Sequence, residues 1–143
     1  MVDGKPPEVV INDEVALFDP MSASELARAT RDEIAEIERR RKVYMGHRAA
    51  LDVAGRVVIV VDDGLATGTT AKAALKALRR RKPSRLILAV PVAPKDTLIA
   101  MSALVDEVVC LQTPDPFHSI GQHYGDFHQL EDDEVLAILH RFN

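Results

Sequence analysis

The chain has 143 residues, enough for one domain, and its 47% hydrophobic and 28% charged content describes a packed fold rather than disorder. A net charge of −4 gives no electrostatic case for nucleic acid or an anionic membrane. The single cysteine, Cys110, excludes an internal disulfide, no apolar run approaches membrane-spanning length, and the start MVDGKPPEVV lacks a basic, apolar leader, so a reducing cytoplasm is the expected compartment.

Glu8–Asn12 (EVVIN) reads as a short strand after the Pro6-Pro7 turn. Ser22-Ala23-Ser24-Glu25 is a capping box, which predicts a helix running to about Tyr44 with Gly46 as its C-cap. Leu26, Thr30, Ile34, Ile37, Arg41 and Tyr44 share one narrow face, so this helix is expected on an edge or against a partner. The run Arg39-Arg40-Arg41-Lys42 has two readings, a phosphate clamp or cations complementing the helix C-terminus, and the second is favoured. His47 to Gly55 is a connector.

Residues 57–70 read VVIVVDDGLATGTT. The five aliphatic residues Val57 to Val61 predict a strand buried on both faces of a parallel sheet. Ligands of such sheets sit beyond the carboxyl ends of the strands, where Asp62 and Asp63 fall. Two adjacent carboxylates repel unless hydroxyls, a cation or water satisfy them, and the vicinal hydroxyls of a ribose are suitable donors. Gly64 and Gly68 then permit a tight turn and close approach. Ala66, Thr67, Gly68, Thr69 and Thr70 present backbone N–H groups at a helix start, a setting that favours phosphate, and the threonines add hydroxyls. Two better-known phosphate loops are excluded. No lysine follows Gly68 as the Walker A pattern requires, and GLATG does not supply the dinucleotide fingerprint.

A helix is predicted from Thr69 to about Arg81, with Ala74, Leu75 and Leu78 inward and Pro83 as its stop. Arg85–Val90 is a second buried strand, a helix is expected near Thr97–Leu104, and Glu107–Leu111 is a third strand carrying Cys110 as a buried structural thiol. The order β-α-β-α-β indicates a parallel sheet. After the rigid Thr113-Pro114-Asp115-Pro116, the segment Phe117–His128 is rich in aromatic and His residues, and Glu131–Phe142 reads as a terminal helix. Phe117, Tyr124, Phe127 and Phe142 either stack on a flat ligand or anchor the tail onto the sheet edge. His118, His123 and His128 are five residues apart, a spacing that argues against a metal site.

DDGLATGTT resembles the 5-phosphoribosyl-1-pyrophosphate (PRPP) motif of the type I phosphoribosyltransferases. The resemblance implies a Rossmann-like parallel sheet with flanking helices. It also implies that Asp62 and Asp63, as the catalytic acidic pair, hold the ribose 2′ and 3′ hydroxyls, while Ala66, Thr67, Gly68, Thr69 and Thr70 hold the 5′-phosphate. PRPP would bring magnesium, and phosphoribose would pass to an acceptor with release of pyrophosphate. Family enzymes that act on 6-oxopurines carry an aspartate where this chain has Ala66, which argues against hypoxanthine or guanine as acceptor. The family's basic, Gly-containing pyrophosphate loop is not visible before Val57. The chain is therefore expected to be a single domain, incomplete at its N-terminal side, comprising residues 1–56 (strand and long helix), 57–111 (parallel core) and 112–143 (aromatic tail and helix). A homodimer or a partner chain is expected to cover the open edge of the motif strand. The alternative to an enzyme is a non-catalytic phosphosugar- or nucleotide-binding module, or an inactive fragment, that retains only the ribose 5-phosphate half-site.

Overall fold

The computed structural model describes residues 22–46, 48 and 51–142, and the strand expected at Glu8–Asn12 lies outside them. The described chain forms α1 (Ala23–Met45), β1 (Val57–Val61), α2 (Thr69–Arg80), β2 (Arg85–Val92), α3 (Lys95–Ser102), β3 (Glu107–Gln112), a 3-10 turn (Ile120–His123) and α4 (Asp132–His140). The fold class is α/β, with a three-stranded parallel sheet in the order β1-β2-β3 and flanking helices.

The capping box at α1 forms as predicted. The Glu25 N–H donates to Ser22 Oγ at 3.3 Å, and the Ser22 N–H donates to Glu25 Oε2 at 2.8 Å. Gly46, at φ 58°, ends the helix. No α1 side chain is fully buried, and the helix is tied to α4 by polar contacts: Arg39 Nη1 to Asp132 Oδ2 at 2.7 Å and Tyr44 Oη to Asp132 Oδ1 at 2.5 Å. Arg39 and Arg40 also pair with Glu36, each N–O distance within 2.8 Å. These two arginines therefore serve carboxylates rather than the last carbonyls of the helix.

The core lies on one face of the sheet. Val58 and Val60 of β1 stand in register with Leu86 and Leu88 of β2, and Leu88 and Val90 with Val108 and Cys110 of β3. Ala71 and Leu75 of α2 and Met101 of α3 close over them. On α2 the fully buried residues are Ala71, Leu75 and Ala77, while the expected Ala74 and Leu78 are half-buried.

The expectation that β1 is buried on both faces is corrected. Val57, Ile59 and Val61 are 59%, 58% and 74% exposed. Side chains alternate across a strand, and among the described residues α2 and α3 pack on the Val58 and Val60 side. Val109 and Leu111 of β3 continue the bare aliphatic face. Cys110 is half-buried rather than buried, because β3 is the other sheet edge and the thiol sits at the core margin. β2 runs two residues past its expected end: Val92 O accepts the Leu65 N–H at 3.0 Å, and the next residue, Ala93, donates to Gln112 O at 3.3 Å. α3 begins two residues early, since Pro94 supplies the extended N-cap backbone and accepts from the Leu98 N–H at 3.1 Å.

One carboxylate joins three elements. Asp106, just before β3, accepts from the Leu86 N–H at 2.6 Å and from Arg79 Nη1 at 3.0 Å. The Arg79 guanidinium first, and the Leu86 N–H second, hold this carboxyl below its ordinary value. A depressed folded-state value contributes stability above the unfolded Asp value of about 3.9, lost as pH falls below it. Asp106→Asn is therefore expected to lower Tm at pH 7, with the gap to wild type closing on acidification; thermal melts across pH check this. Gly68, at φ 71°, begins α2, and a Cβ there would lie 3.0 Å from Thr97 Cγ2 and 3.2 Å from Met101 Cε. Gly68→Ala is expected to cost about 1–2 kcal/mol from the left-handed backbone alone, measured by denaturant unfolding.

Candidate functional site: an acidic pair and a helix N-terminus

The predicted site residues form one continuous loop at the carboxyl end of β1. The Asp62 N–H donates to Ala89 O at 3.3 Å, which prolongs the β1–β2 ladder by one step. Asp62 is half-buried and Asp63 exposed. Burial pushes the Asp62 carboxyl above its ordinary value, and the neighbouring Asp63 charge adds to this. The Asp63 N–H, donating to Asp62 Oδ1 at 3.0 Å, opposes the shift. The pair thus carries an electrostatic cost that donors from a ligand would relieve.

Gly64 is packed so tightly that a Cβ would lie 2.8 Å from Ile120 Cγ2 and 3.0 Å from Val92 Cγ1. Leu65, 2% exposed, turns into the core while Ala66 and Thr67 turn out. Thr97 Oγ1 donates to Ala66 O at 2.7 Å, and the Thr67 and Thr69 hydroxyls lie 3.1 Å apart. No side chain caps the start of α2 at Gly68, and its first backbone bond runs from the Lys72 N–H to Gly68 O at 2.8 Å. The start of α2 is therefore without a side-chain cap at the point where the Thr67 and Thr69 hydroxyls meet.

Two contributors lie outside the motif. Thr97, at the start of α3, secures the loop carbonyl of Ala66. The tail lies against the motif: Ile120 covers Gly64, and Tyr124 Oη donates to Asp63 O at 2.5 Å. The aromatic residues are largely paired with one another, Phe117 with His123 at 5.7 Å and Tyr124 with Phe127 at 5.1 Å between ring centroids. These pairs lie within the tail itself; Tyr124 attaches it to the acidic loop rather than to the sheet edge, and Phe142, 84% exposed, does not serve as the expected anchor. The aromatic richness of residues 117–128 is the one sequence signal that could have found Tyr124; Thr97 had none. His128 instead faces Asp126 at 2.9 Å and Glu134 at 3.3 Å, and these carboxylates, Asp126 foremost, raise its pKa. Among the described residues no group of three or more His, Cys, Asp or Glu side chains could hold a metal ion, and no helix is long and apolar enough to cross a membrane.

Residues 15–126 match the family model described as a phosphoribosyl transferase domain. The chain is 39% identical over 132 residues to a protein described as "Putative phosphoribosyl transferase" in two strains of Mycobacterium tuberculosis, CDC 1551 / Oshkosh and H37Rv. That match covers 92% of this chain and 30% of the relative, so the chain spans about a third of the length of these curated proteins. The crystal structure of TT1426 from Thermus thermophilus is similar with a TM-score of 0.69 and 35% identity, over 95% of this chain and 64% of that one. With the family model matched across most of its length, on a parallel sheet that ends in the acidic loop, the chain belongs to the phosphoribosyl transferase domain family.

Proposed function

We propose that the loop from Asp62 to Thr70 is a phosphoribosyl half-site and that the chain works in phosphoribosyl transfer from PRPP. The reading rests chiefly on one observation: a half-buried Asp62 with the exposed Asp63 beside it and an uncapped helix N-terminus are joined by a single short turn, where the Thr67 and Thr69 hydroxyls lie 3.1 Å apart. In this reading Asp62 and Asp63 accept hydrogen bonds from the ribose 2′ and 3′ hydroxyls. The first-turn amides of α2, with Thr67, Thr69 and Thr70, hold the 5′-phosphate. As transfer proceeds, the bond from C1 to the pyrophosphate oxygen breaks, a bond from C1 to the acceptor nucleophile forms, and the acceptor gives up a proton. The carboxylates stabilise the positive charge that develops on the ribose ring.

The donor set fits magnesium only as a companion of the ligand. Mg²⁺ is held by one or two carboxylates together with substrate phosphates and water, and the loop offers one acidic pair. It would supply charge neutralisation on the leaving pyrophosphate. Ala66, exposed beside the pair, offers no carboxylate to an acceptor, which disfavours 6-oxopurines. A second copy of the chain, or a partner, covering the bare face of Val57, Ile59, Val61, Val109 and Leu111 belongs to the same proposal.

Calorimetry with PRPP and magnesium is expected to show binding, and an acceptor screen is expected to release pyrophosphate. Binding without turnover would favour a phosphosugar-binding module. Asp62→Asn with Asp63→Asn should weaken binding about tenfold or more, the scale of charged hydrogen bonds. The same change should leave Tm equal or higher, since it removes a half-buried charge and its repulsion. Unchanged affinity would mean that the ribose role is wrong. Because the Asp62 value is raised, affinity should fall on acidification at a higher pH than for an ordinary aspartate. Sedimentation at micromolar concentration should show a species larger than a monomer; a monomeric profile would overturn this part of the proposal.

A further inference from the structure

We infer that Tyr124 is a positioning residue for the acidic pair, acting through the backbone of Asp63; the role rests on the ribose-phosphate reading of the loop. The peptide units on the two sides of Asp63 are each held by a side chain. Asp62 Oδ1 accepts the Asp63 N–H at 3.0 Å, and the Tyr124 hydroxyl donates to Asp63 O at 2.5 Å. Fixing both the N–H and the C=O of one residue fixes its two backbone torsions, and so the direction in which its carboxylate leaves the chain. Asp63 is exposed.

Tyr124 is itself braced. Its ring lies 5.1 Å from Phe127, its N–H donates to Gly121 O at 3.3 Å, and Phe127 fills the space over Gly121, where a Cβ would meet Phe127 Cδ1 at 2.9 Å. Ile120, in the same turn, covers Gly64 so closely that a Cβ there would lie 2.8 Å from Ile120 Cγ2. The turn Ile120–Phe127 thus seats itself on the peptide that follows Asp63, with one hydroxyl as its polar contact there. A segment 61 residues away in sequence therefore sets the geometry of the pair. The phosphate end of the loop is held differently, by Thr97 on Ala66 O and by Leu65 on Val92 O. Loss of the hydroxyl should be felt at the sugar and not at the phosphate.

Tyr124→Phe removes the hydroxyl and keeps the ring packed on Phe127. In the 143-residue chain, affinity for ribose 5-phosphate is expected to fall about threefold to tenfold, the effect of one net hydrogen bond. Affinity for inorganic phosphate and Tm are expected to stay unchanged. Equal loss for both probes, or no loss for either, overturns the positioning role. Without ligand, the amide resonances of Asp63 and Gly64 are expected to move while those of the first turn of α2 stay in place; if Asp63 and Gly64 do not move, the contact itself is refuted. If wild type binds inorganic phosphate but not ribose 5-phosphate, the ribose reading falls and the positioning role falls with it. That outcome is distinct from wild type binding ribose 5-phosphate with Tyr124→Phe its equal.

Discussion

Leu65 separates the two halves of the loop and holds both in place. It is the one side chain between the acidic pair and the threonines that turns inward, 2% exposed among Leu75, Leu88 and Met101, and burying such a side chain contributes about 2 kcal/mol. Its N–H reaches Val92 O at 3.0 Å, so the loop is fastened to the end of β2 by backbone as well as side chain. Asp62 and Asp63 precede this fixed point and the exposed Ala66 and Thr67 follow it, and Gly68 takes a left-handed turn at the start of α2. The extension of β2 to Val92, past Pro91, supplies the carbonyl on which this depends.

Asp62 illustrates how a site can hold stress that the fold does not need. Its carboxyl is half-buried beside a second carboxylate, and both effects disfavour its charged form. Asp106 is the opposite case, a carboxylate with an arginine and a backbone N–H as donors, whose charge strengthens the junction of α2, β2 and β3. One aspartate has its charge disfavoured by its surroundings and the other has its charge favoured, although the two are the same residue type.

Much of this was legible in the sequence because it was written locally. The Ser22–Glu25 box, the aliphatic run of β1, Pro83 after α2 and the order of strands and helices each depend on a few adjacent residues, and the resemblance to the family rested on nine consecutive letters. What escaped was set by tertiary placement. The run Val57–Val61 looks the same whether one face or two are covered, so its exposed residues could not be foreseen. Cys110 lost full burial to its place on a sheet edge. The links from Thr97 to Ala66 and from Tyr124 to Asp63 join residues with no shared pattern, and only the crossing of chain segments over the strand ends brings them together.

The tail has a consequence for how the molecule comes apart. Residues 113–130 hold no buried side chain and meet the motif loop through Ile120 on Gly64 and Tyr124 on Asp63 O. A segment with so little buried surface opens at a lower free energy than the sheet and helices beneath it, as a sub-global unit. Asp63 therefore loses its hydroxyl donor under conditions that leave Leu75, Leu86 and Leu88 packed. By linkage, a ligand that prefers the seated tail raises the protection of that segment by as much as the seated tail raises the ligand's affinity.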